Sequence, residues 1–447
     1  MPAFYDPYIA TSLDSGNRYV DSYWTANTSI ASQPQTSALP KQAEIVVVGA
    51  GYTGLSCAYE LSQRYQRQVL LLEANQPGWG CSSRNAGFVL RGTGRLGLSQ
   101  LKARFGLEQA QLFHQEYGLA LQRLKDLVAA GNIDCQAQTP GYLKIAHTVK
   151  QAQLLQQQAE RLQRDFAYAV SFLDQSALQA CINSPGAFGA LRLPDCYGIN
   201  PFLLLQGLAG LAERSGVKLF TNTSLQAINH SGTGYQLTTS AGSLHCDKLV
   251  LATNAYTPKN ILPELNRGCL PVLSSIIVTR PLTASELSAC GLTPGFMAMD
   301  TRALKYYYRL LPDNRVLFGG RSAISGADLA KPHYPAQLRQ ALWQTLPALQ
   351  GIDYQYHWAG WVGVSYDDLP RIAQTSEGIY YAAGYCGSGV SYSLLAGQRL
   401  AEKLMGETLP PLPLYQSPLQ PFPFTRGRRL AQYAYYQWAQ FADRFLS

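Results

Sequence analysis

Apolar residues run without alternation through EIVVVGAG, from Glu44, and again through QVLLLEA, which ends on Glu73 and Ala74. Unbroken runs of this length are what strands buried on both faces of a parallel sheet require. Between them, residues 54–64 have a helical pattern, with Ser56, Cys57 and Ala58 on the early turns. The same alternation of elements returns later. INPFLLLQGLAGLAERSGVKLF predicts an amphipathic helix and then a strand, and KLVLATNAYTP another buried strand. GIYYAAGYCGSGV predicts a strand that enters a glycine-rich turn, followed by the helix SLLAGQRLAEKLMG. Residues 99–130 and 149–165 read as helices, with a strand pair or turn in DCQAQTPGYLKIAH. Residues 270–325 are mostly β, including a hairpin in KYYYRLLPDNRVLFGGR with Asp313 and Asn314 at its turn, and 335–350 is helical. Residues 1–42 form a polar, irregular arm, and a Pro-rich link at 410–423 leads to a basic, aromatic helix. The fold class is α/β, or α+β overall.

The first strand ends in GAGYTG. In this GxGxxG arrangement Gly49 permits the tight turn, Gly51 lets the backbone approach a pyrophosphate, and Gly54 lets the helix pack close to the sheet. The helix N-terminus offers free N–H groups and the positive end of its dipole to phosphate. Glu73, nineteen residues past Gly54, can accept hydrogen bonds from an adenosine ribose and would repel a 2′-phosphate. Strand, turn, helix and acidic residue together predict a dinucleotide site, but do not separate NAD from FAD. The second strand–glycine turn–helix, carrying Gly384, Gly387 and Gly389, favours FAD. Its helix end can face a flavin ring and stabilise the negative charge of the reduced form.

The chain has 447 residues, enough for two domains or one with large insertions, and its 47% apolar and 14% charged content is that of a globular protein. The net charge of +8 favours anionic ligands without specifying nucleic acid, for which no motif is present. Nine cysteines without a CxxC pair predict reduced thiols and a cytoplasmic protein. Six dispersed histidines predict no metal site. No stretch has the length and apolarity of a transmembrane segment, and the N-terminus lacks the pattern of a signal peptide.

The pieces GAGYTGLS, GWGCSSRNAG, LVLATNAYTP, YYYRLLPDNRVLFGGR, WAGWVGVSYDDLPRI and GYCGSGVSYSLLAG together resemble the D-amino acid oxidase-like FAD-dependent oxidoreductases, over about residues 20–410. The branch most similar is that of the gamma-glutamylputrescine oxidoreductases, and the closing GRRLAQYAYYQWAQFADRF is similar to that branch's tail. The resemblance implies a Rossmann-like FAD-binding domain (1–100, 190–260 and 355–410) interleaved with a β-sheet substrate domain (101–189 and 261–354), then a C-terminal link and helix (411–447). It implies cofactor contacts from Gly49, Gly51, Tyr52, Thr53, Gly54, Glu73 and Ala74 and from Cys81, Ser82, Arg84, Asn85, Ala86 and Gly87. Further contacts are implied from Leu225, Ala252 and Thr253 and from Gly384, Gly387, Ser388, Gly389 and Val390.

Such enzymes oxidise a C–N bond by hydride transfer to flavin N5, the imine is hydrolysed, and oxygen reoxidises the flavin to give peroxide. Relatives with covalent flavin use a histidine or cysteine where this chain has Arg84 and Trp361, so noncovalent FAD is expected. Cys81 and Cys386 are nevertheless close to the expected flavin position. A lysine that assists oxygen in some relatives is replaced near Leu317, which leaves oxidase and dehydrogenase both open.

On the substrate side, strand alternation sends Tyr306 and Tyr308 to one face and Tyr307 to the other. Tyr306 and Tyr308 are candidates for an aromatic wall, or for packing. His357 and Trp361 flank Gly360 on a strand near the flavin, as candidate catalytic residues or as structural ones. Asp367 and Asp368 are read as organising the turn before Pro370. The expected substrate is a small-molecule amine or amino acid. The second reading is a maturation flavoprotein that oxidises residues of a partner protein during quinone-cofactor biogenesis.

Overall fold

A computed structural model describes residues 5–28, 38–321 and 323–445. Two eight-stranded sheets organise the chain. In the first, Gln42–Val48 lies between Val69–Leu72 and Gly242–Leu251, and the sheet extends through Lys218–Phe220 on one side and Tyr380–Ala383 and Arg371–Gln374 on the other. The central pairs are parallel: Val47 is level with Leu71 and Val250, and Leu251 with Tyr381. The apolar runs are unbroken because both faces are covered, and Val46, Val47, Leu71, Leu249, Val250 and Leu251 have no exposed surface. Helices Tyr52–Gln63, Pro201–Arg214 and Tyr392–Leu404 cover one face, and the antiparallel strands Leu225–Ser231 and Gly234–Thr239 extend the sheet beside Gly242–Leu251.

The second sheet runs Tyr354–Ser365, Cys269–Thr279, Val316–Arg321, Tyr307–Leu310, Met297–Asp300, Tyr142–Ile145, Gly189–Leu193 and Ser171–Asp174, mostly antiparallel. A two-residue ribbon, Phe88–Val89 with Tyr197–Gly198, lies outside both sheets.

Two segments differ from the expected partition. Residues 355–365, expected in the nucleotide domain, belong to the edge strand of the second sheet, which pairs with Cys269–Thr279 along its length. Conversely, Leu107–Gly131, expected in the substrate domain, packs on the helices of the first. Its Glu116 binds Arg399 at 2.7 Å, its Arg123 binds Glu60 at 2.8 Å, and Tyr117 and Leu124 join the same core. A helix of 25 residues carries apolar positions all along one stripe, and periodicity does not say which sheet that stripe will meet.

Among its described residues, the polar N-terminal arm contains one short helix, Tyr23–Ala26, which brings Trp24 into the core. The closing helix, Arg428–Phe445, docks by polar contacts at both ends. Arg429 pairs with Asp6 at 2.6 Å, and Asp443 accepts hydrogen bonds from the N–H groups of Ala303 and Leu304. Among the described residues, no helix is long and apolar enough to cross a membrane.

Candidate active site

A cavity of about 1240 Å³ begins at the carboxyl ends of the first sheet and continues beneath the second. That exceeds what drug-sized ligands need, and matches a dinucleotide with a further small molecule beside it.

Its first end is built by the GAGYTG turn. Gly49 has φ +103°, and a Cβ on Gly54 would lie 1.9 Å from the Gly49 carbonyl oxygen, so both glycines are required by the close strand–helix approach. The Glu73 carboxylate accepts the N–H of Ala50 at 2.8 Å and of Asn75 at 3.0 Å, which fixes it at the rim of the turn. Burial pushes this carboxyl up to about 7, against the pull of those hydrogen bonds. The N-terminus of the helix Tyr52–Gln63 opens onto the cavity, with the Tyr52 N–H donating to Ser82 Oγ at 3.1 Å. A buried acceptor for ribose hydroxyls beside an open helix N-terminus fits the adenosine diphosphate half of FAD.

The loop that follows is held from the second sheet. Arg84 lies over the Trp79 ring at 4.5 Å and donates from Nε to the Trp79 carbonyl at 2.8 Å. Asn85 caps the turn, donating to the carbonyls of Cys81 and Ser82 and accepting the Gly87 N–H. Trp358 Nε1 donates to the Arg84 carbonyl, and Trp24 Nε1 to the Asn85 carbonyl. The wholly buried Arg309 donates from one terminal nitrogen to the carbonyls of Ala86, Gly87 and Ile199. Among the described residues no carboxylate pairs with it, and burial lowers its pKa to about 9.

The second glycine-rich turn approaches from the opposite side. Gly384, Cys386 and Gly387 all have positive φ. Ser391, at the start of the helix Tyr392–Leu404, donates to the Leu90 carbonyl at 2.7 Å. Gly397 packs this helix onto the first one: a Cβ there would meet Thr53 O at 2.4 Å.

The sequence-derived cofactor residues divide into two groups. Gly49, Gly51, Tyr52, Thr53, Glu73, Ala74, Cys81, Ser82, Arg84, Asn85 and Ala86 line the cavity, as do Leu225, Ala252, Thr253, Gly387, Ser388, Gly389 and Val390. Gly54, Gly87 and Gly384 stand behind its wall, where the first two make room for backbone and Gly384 for the Ser365 side chain.

The candidate catalytic residues do not face it. The alternation expected at Tyr306–Tyr308 is present, but the face turned to the cavity is that of Tyr307. Tyr308 stacks on Phe296 and Phe318, and Tyr306 packs against Phe318, all behind the sheet. Tyr307 lies across Gly319, where a Cβ would stand 2.2 Å from its ring, and its hydroxyl meets Ser274 Oγ at 2.9 Å. On the edge strand Gly360 and Val362 face inward, so His357 and Trp361 face out. His357 packs near Tyr354, and burial lowers its pKa to about 4, leaving a neutral imidazole. Trp361 packs with Trp79 and Tyr256, lies under Arg429, and donates from Nε1 to the Tyr5 carbonyl at 2.7 Å. Leu317 is buried in the cluster around Trp24 and Trp358. Asp367 pairs with Arg371, and Asp368 lies 3.8 Å from Arg95.

The sequence reading missed Tyr307, Ser274, Lys144, Lys305 and Arg321 as cavity residues. Their signal was limited to alternation on a strand whose inward face was unknown. Gly319 makes room for Tyr307, but Gly320 makes room for Tyr306 on the other face, so the glycine pair could not have chosen between them.

The DAO model, FAD dependent oxidoreductase, matches residues 44–403. Gamma-glutamylputrescine oxidoreductase of Escherichia coli (strain K12) is 28% identical over 416 residues, covering 92% of this chain and 95% of the relative. Glycine oxidase of Geobacillus kaustophilus shares the fold, with a TM-score of 0.69 at 20% identity over 85% of this chain and 99% of that one. L-proline dehydrogenase from P. horikoshii does so with 0.68 at 20%, over 84% and 96%. The resemblance read from the motifs is borne out, and the chain belongs to the FAD dependent oxidoreductase family.

Proposed function

We propose that the protein oxidises a C–N bond of a small amine or amino acid. The observation that carries this is the continuity of the cavity, from the Glu73 end to a wall formed by Tyr307, Ser274, Ile276 and Val362. Bound FAD supplies a two-electron acceptor: a hydride leaves the carbon next to nitrogen, and water hydrolyses the resulting imine to a carbonyl compound and an amine. The chain's own task is placement. Ile276, Val272 and Val362 make an apolar wall that excludes water from the reacting carbon. Tyr307 stays protonated, its pKa pushed up to about 12 by burial, and with Ser274 offers neutral hydroxyls that orient a polar substrate group. His357 is outside the cavity, and hydride loss from a neutral amine needs no side-chain base.

Noncovalent attachment is part of the same reading. Covalent linkage through cysteine needs a thiolate, and burial pushes Cys81 and Cys386 each up to about 11. Reoxidation by oxygen, with release of peroxide, completes the proposed cycle.

The purified protein is expected to be yellow and to release its flavin in acid. Anaerobic mixing with a panel of amines, N-methyl amino acids and amino acids is expected to bleach the flavin absorbance with at least one of them. A colourless protein that cannot be reconstituted with FAD, or a flavoprotein that no member of the panel reduces, would overturn the proposal.

A further inference from the structure

The cavity's far wall carries more positive charge than the fold uses. Met299 is paired on one side with Lys144 and on the other with Tyr307, so these residues share a row of the sheet. On Tyr307's other side, Gly319 is its partner, and Arg321 lies two residues further along that strand, on the same face and opposite Ser274. Extending the antiparallel register by two residues sets Lys305 across from Arg321. Like charges facing each other across a sheet are unfavourable, and Lys305 feels Arg321, Arg95 and Lys144. All four line the cavity.

The nearby acids do not balance them. Asp300 is taken up by Arg302 and by the N–H groups of Arg302 and Tyr306, and Asp368 is shared with Arg95. Among the described residues, Lys144 has only the neutral Gln158 at 3.3 Å. Among the described residues, Lys305 and Arg321 have neither a hydrogen-bond nor an ion-pair partner. Lys305 is exposed, and desolvation with the cations Arg95 and Arg321 lowers its pKa against the pull of Asp300 and Asp368. Three cations are therefore left over around the Tyr307–Ser274 hydroxyls. Two of them, Lys144 and Arg321, lie on opposite sides of Tyr307.

We propose that Lys305, Arg321 and Lys144 bind the carboxylates of a substrate that carries two of them, so that the amine oxidised here belongs to a dicarboxylic acid. The proposal rests on the function proposed above and narrows it. One carboxylate would sit between Lys305 and Arg321, and the second near Lys144, with the Tyr307 and Ser274 hydroxyls between. No covalent step is involved: the three side chains set specificity by charge and spacing.

The test uses the FAD-loaded protein and unreactive probes. Straight-chain dicarboxylates from malonate to pimelate, their diamides, and monocarboxylates of equal length are titrated against the flavin absorbance and against the melting temperature. At least one dicarboxylate is expected to bind about tenfold or more tightly than both its diamide and its monocarboxylate counterpart. Lys305→Gln and Arg321→Gln should each weaken that binding about tenfold, Lys305→Arg should restore most of it, and Lys248→Gln, an exposed charge outside the cavity, should leave it unchanged. Lys305→Gln should also hold or raise the melting temperature of the flavin-free protein, because it removes a repelled charge; a merely structural lysine would give a loss. Dicarboxylates that bind no better than diamides, or Lys305→Gln with unchanged dicarboxylate affinity, would overturn the proposal. If the flavin is bound and amines reduce it while charge makes no difference, this inference fails and the amine-oxidation reading stands.

Discussion

Gly54→Ala isolates the contact on which the nucleotide turn depends. The added Cβ would stand 1.9 Å from the Gly49 carbonyl oxygen, and such contacts are essentially never found below 3.0 Å, so about 1.1 Å of separation must be gained. The carbonyl belongs to backbone, at a glycine held at φ +103°, and cannot swing aside like a side chain. The helix cannot retreat either, because Gly397 already sets the neighbouring helix against Thr53 O and Cys57 N. Overpacking usually costs about 1–3 kcal/mol and more where backbone must move. The better helix propensity of alanine returns about 1 kcal/mol. A net loss of about 2 kcal/mol is expected, seen in a chain of 447 residues as a melting temperature lower by roughly 2–3 °C. If the turn is the phosphate cradle its geometry suits, FAD affinity should fall about tenfold or more.

Gly51→Ala is the control. Gly51 has φ −85°, open to any residue, and its Cβ would meet only Ser82 Oγ, at 2.9 Å, a hydroxyl that can rotate. The flavin-free Gly51→Ala protein should therefore lie within about 1 kcal/mol of wild type, with FAD binding weakened. Both variants are checked by FAD titration of flavin-free protein, followed by flavin fluorescence, and by thermal melts with and without FAD. A Gly54→Ala protein with a wild-type melting temperature and FAD affinity within about threefold would refute the reasoning.

Other outcomes follow from the same geometry. Arg309→Met strips one donor from three buried carbonyls, at about 1–3 kcal/mol each, and relieves the burial of an unbalanced guanidinium; a net loss of about 2–4 kcal/mol in urea unfolding and faster FAD release are expected. Tyr307→Phe should lower kcat/KM about tenfold, whereas Tyr306→Phe, behind the sheet, should leave it within about twofold, as steady-state assays of a reducing amine would measure. Glu73 has a folded pKa raised to about 7 from 4.5, so its contribution to stability is fully present below pH 4.5 and is lost as pH rises through 7. The flavin-free protein should lose up to about 3 kcal/mol over that window, and Glu73→Gln should flatten the slope in melts recorded from pH 4.5 to 8.

The sequence by itself determined the nucleotide half. Gly54 packs on the Gly49 carbonyl and Glu73 accepts the Ala50 N–H within a single strand–turn–helix–strand unit, and the spacing that makes those contacts is local, so it survives being read as a string. The second glycine turn was legible for the same reason: positive φ at Gly384 and Gly387 is a property of the turn itself. Only the tertiary structure decided the substrate wall. A strand alternates with period two whichever face is inward, so Tyr306 and Tyr308 were as plausible from the sequence as Tyr307, and His357 and Trp361 as plausible as Gly360 and Val362. The choice was made by the loop from Trp79 to Arg91, which docks on one face of the second sheet through Arg309, Trp358 and Trp24, residues hundreds of positions apart or in the N-terminal arm. The surplus of cations at Lys144, Lys305 and Arg321 was likewise invisible until strands from distant parts of the chain set them around one cavity, since charge adds up in space and not along the sequence.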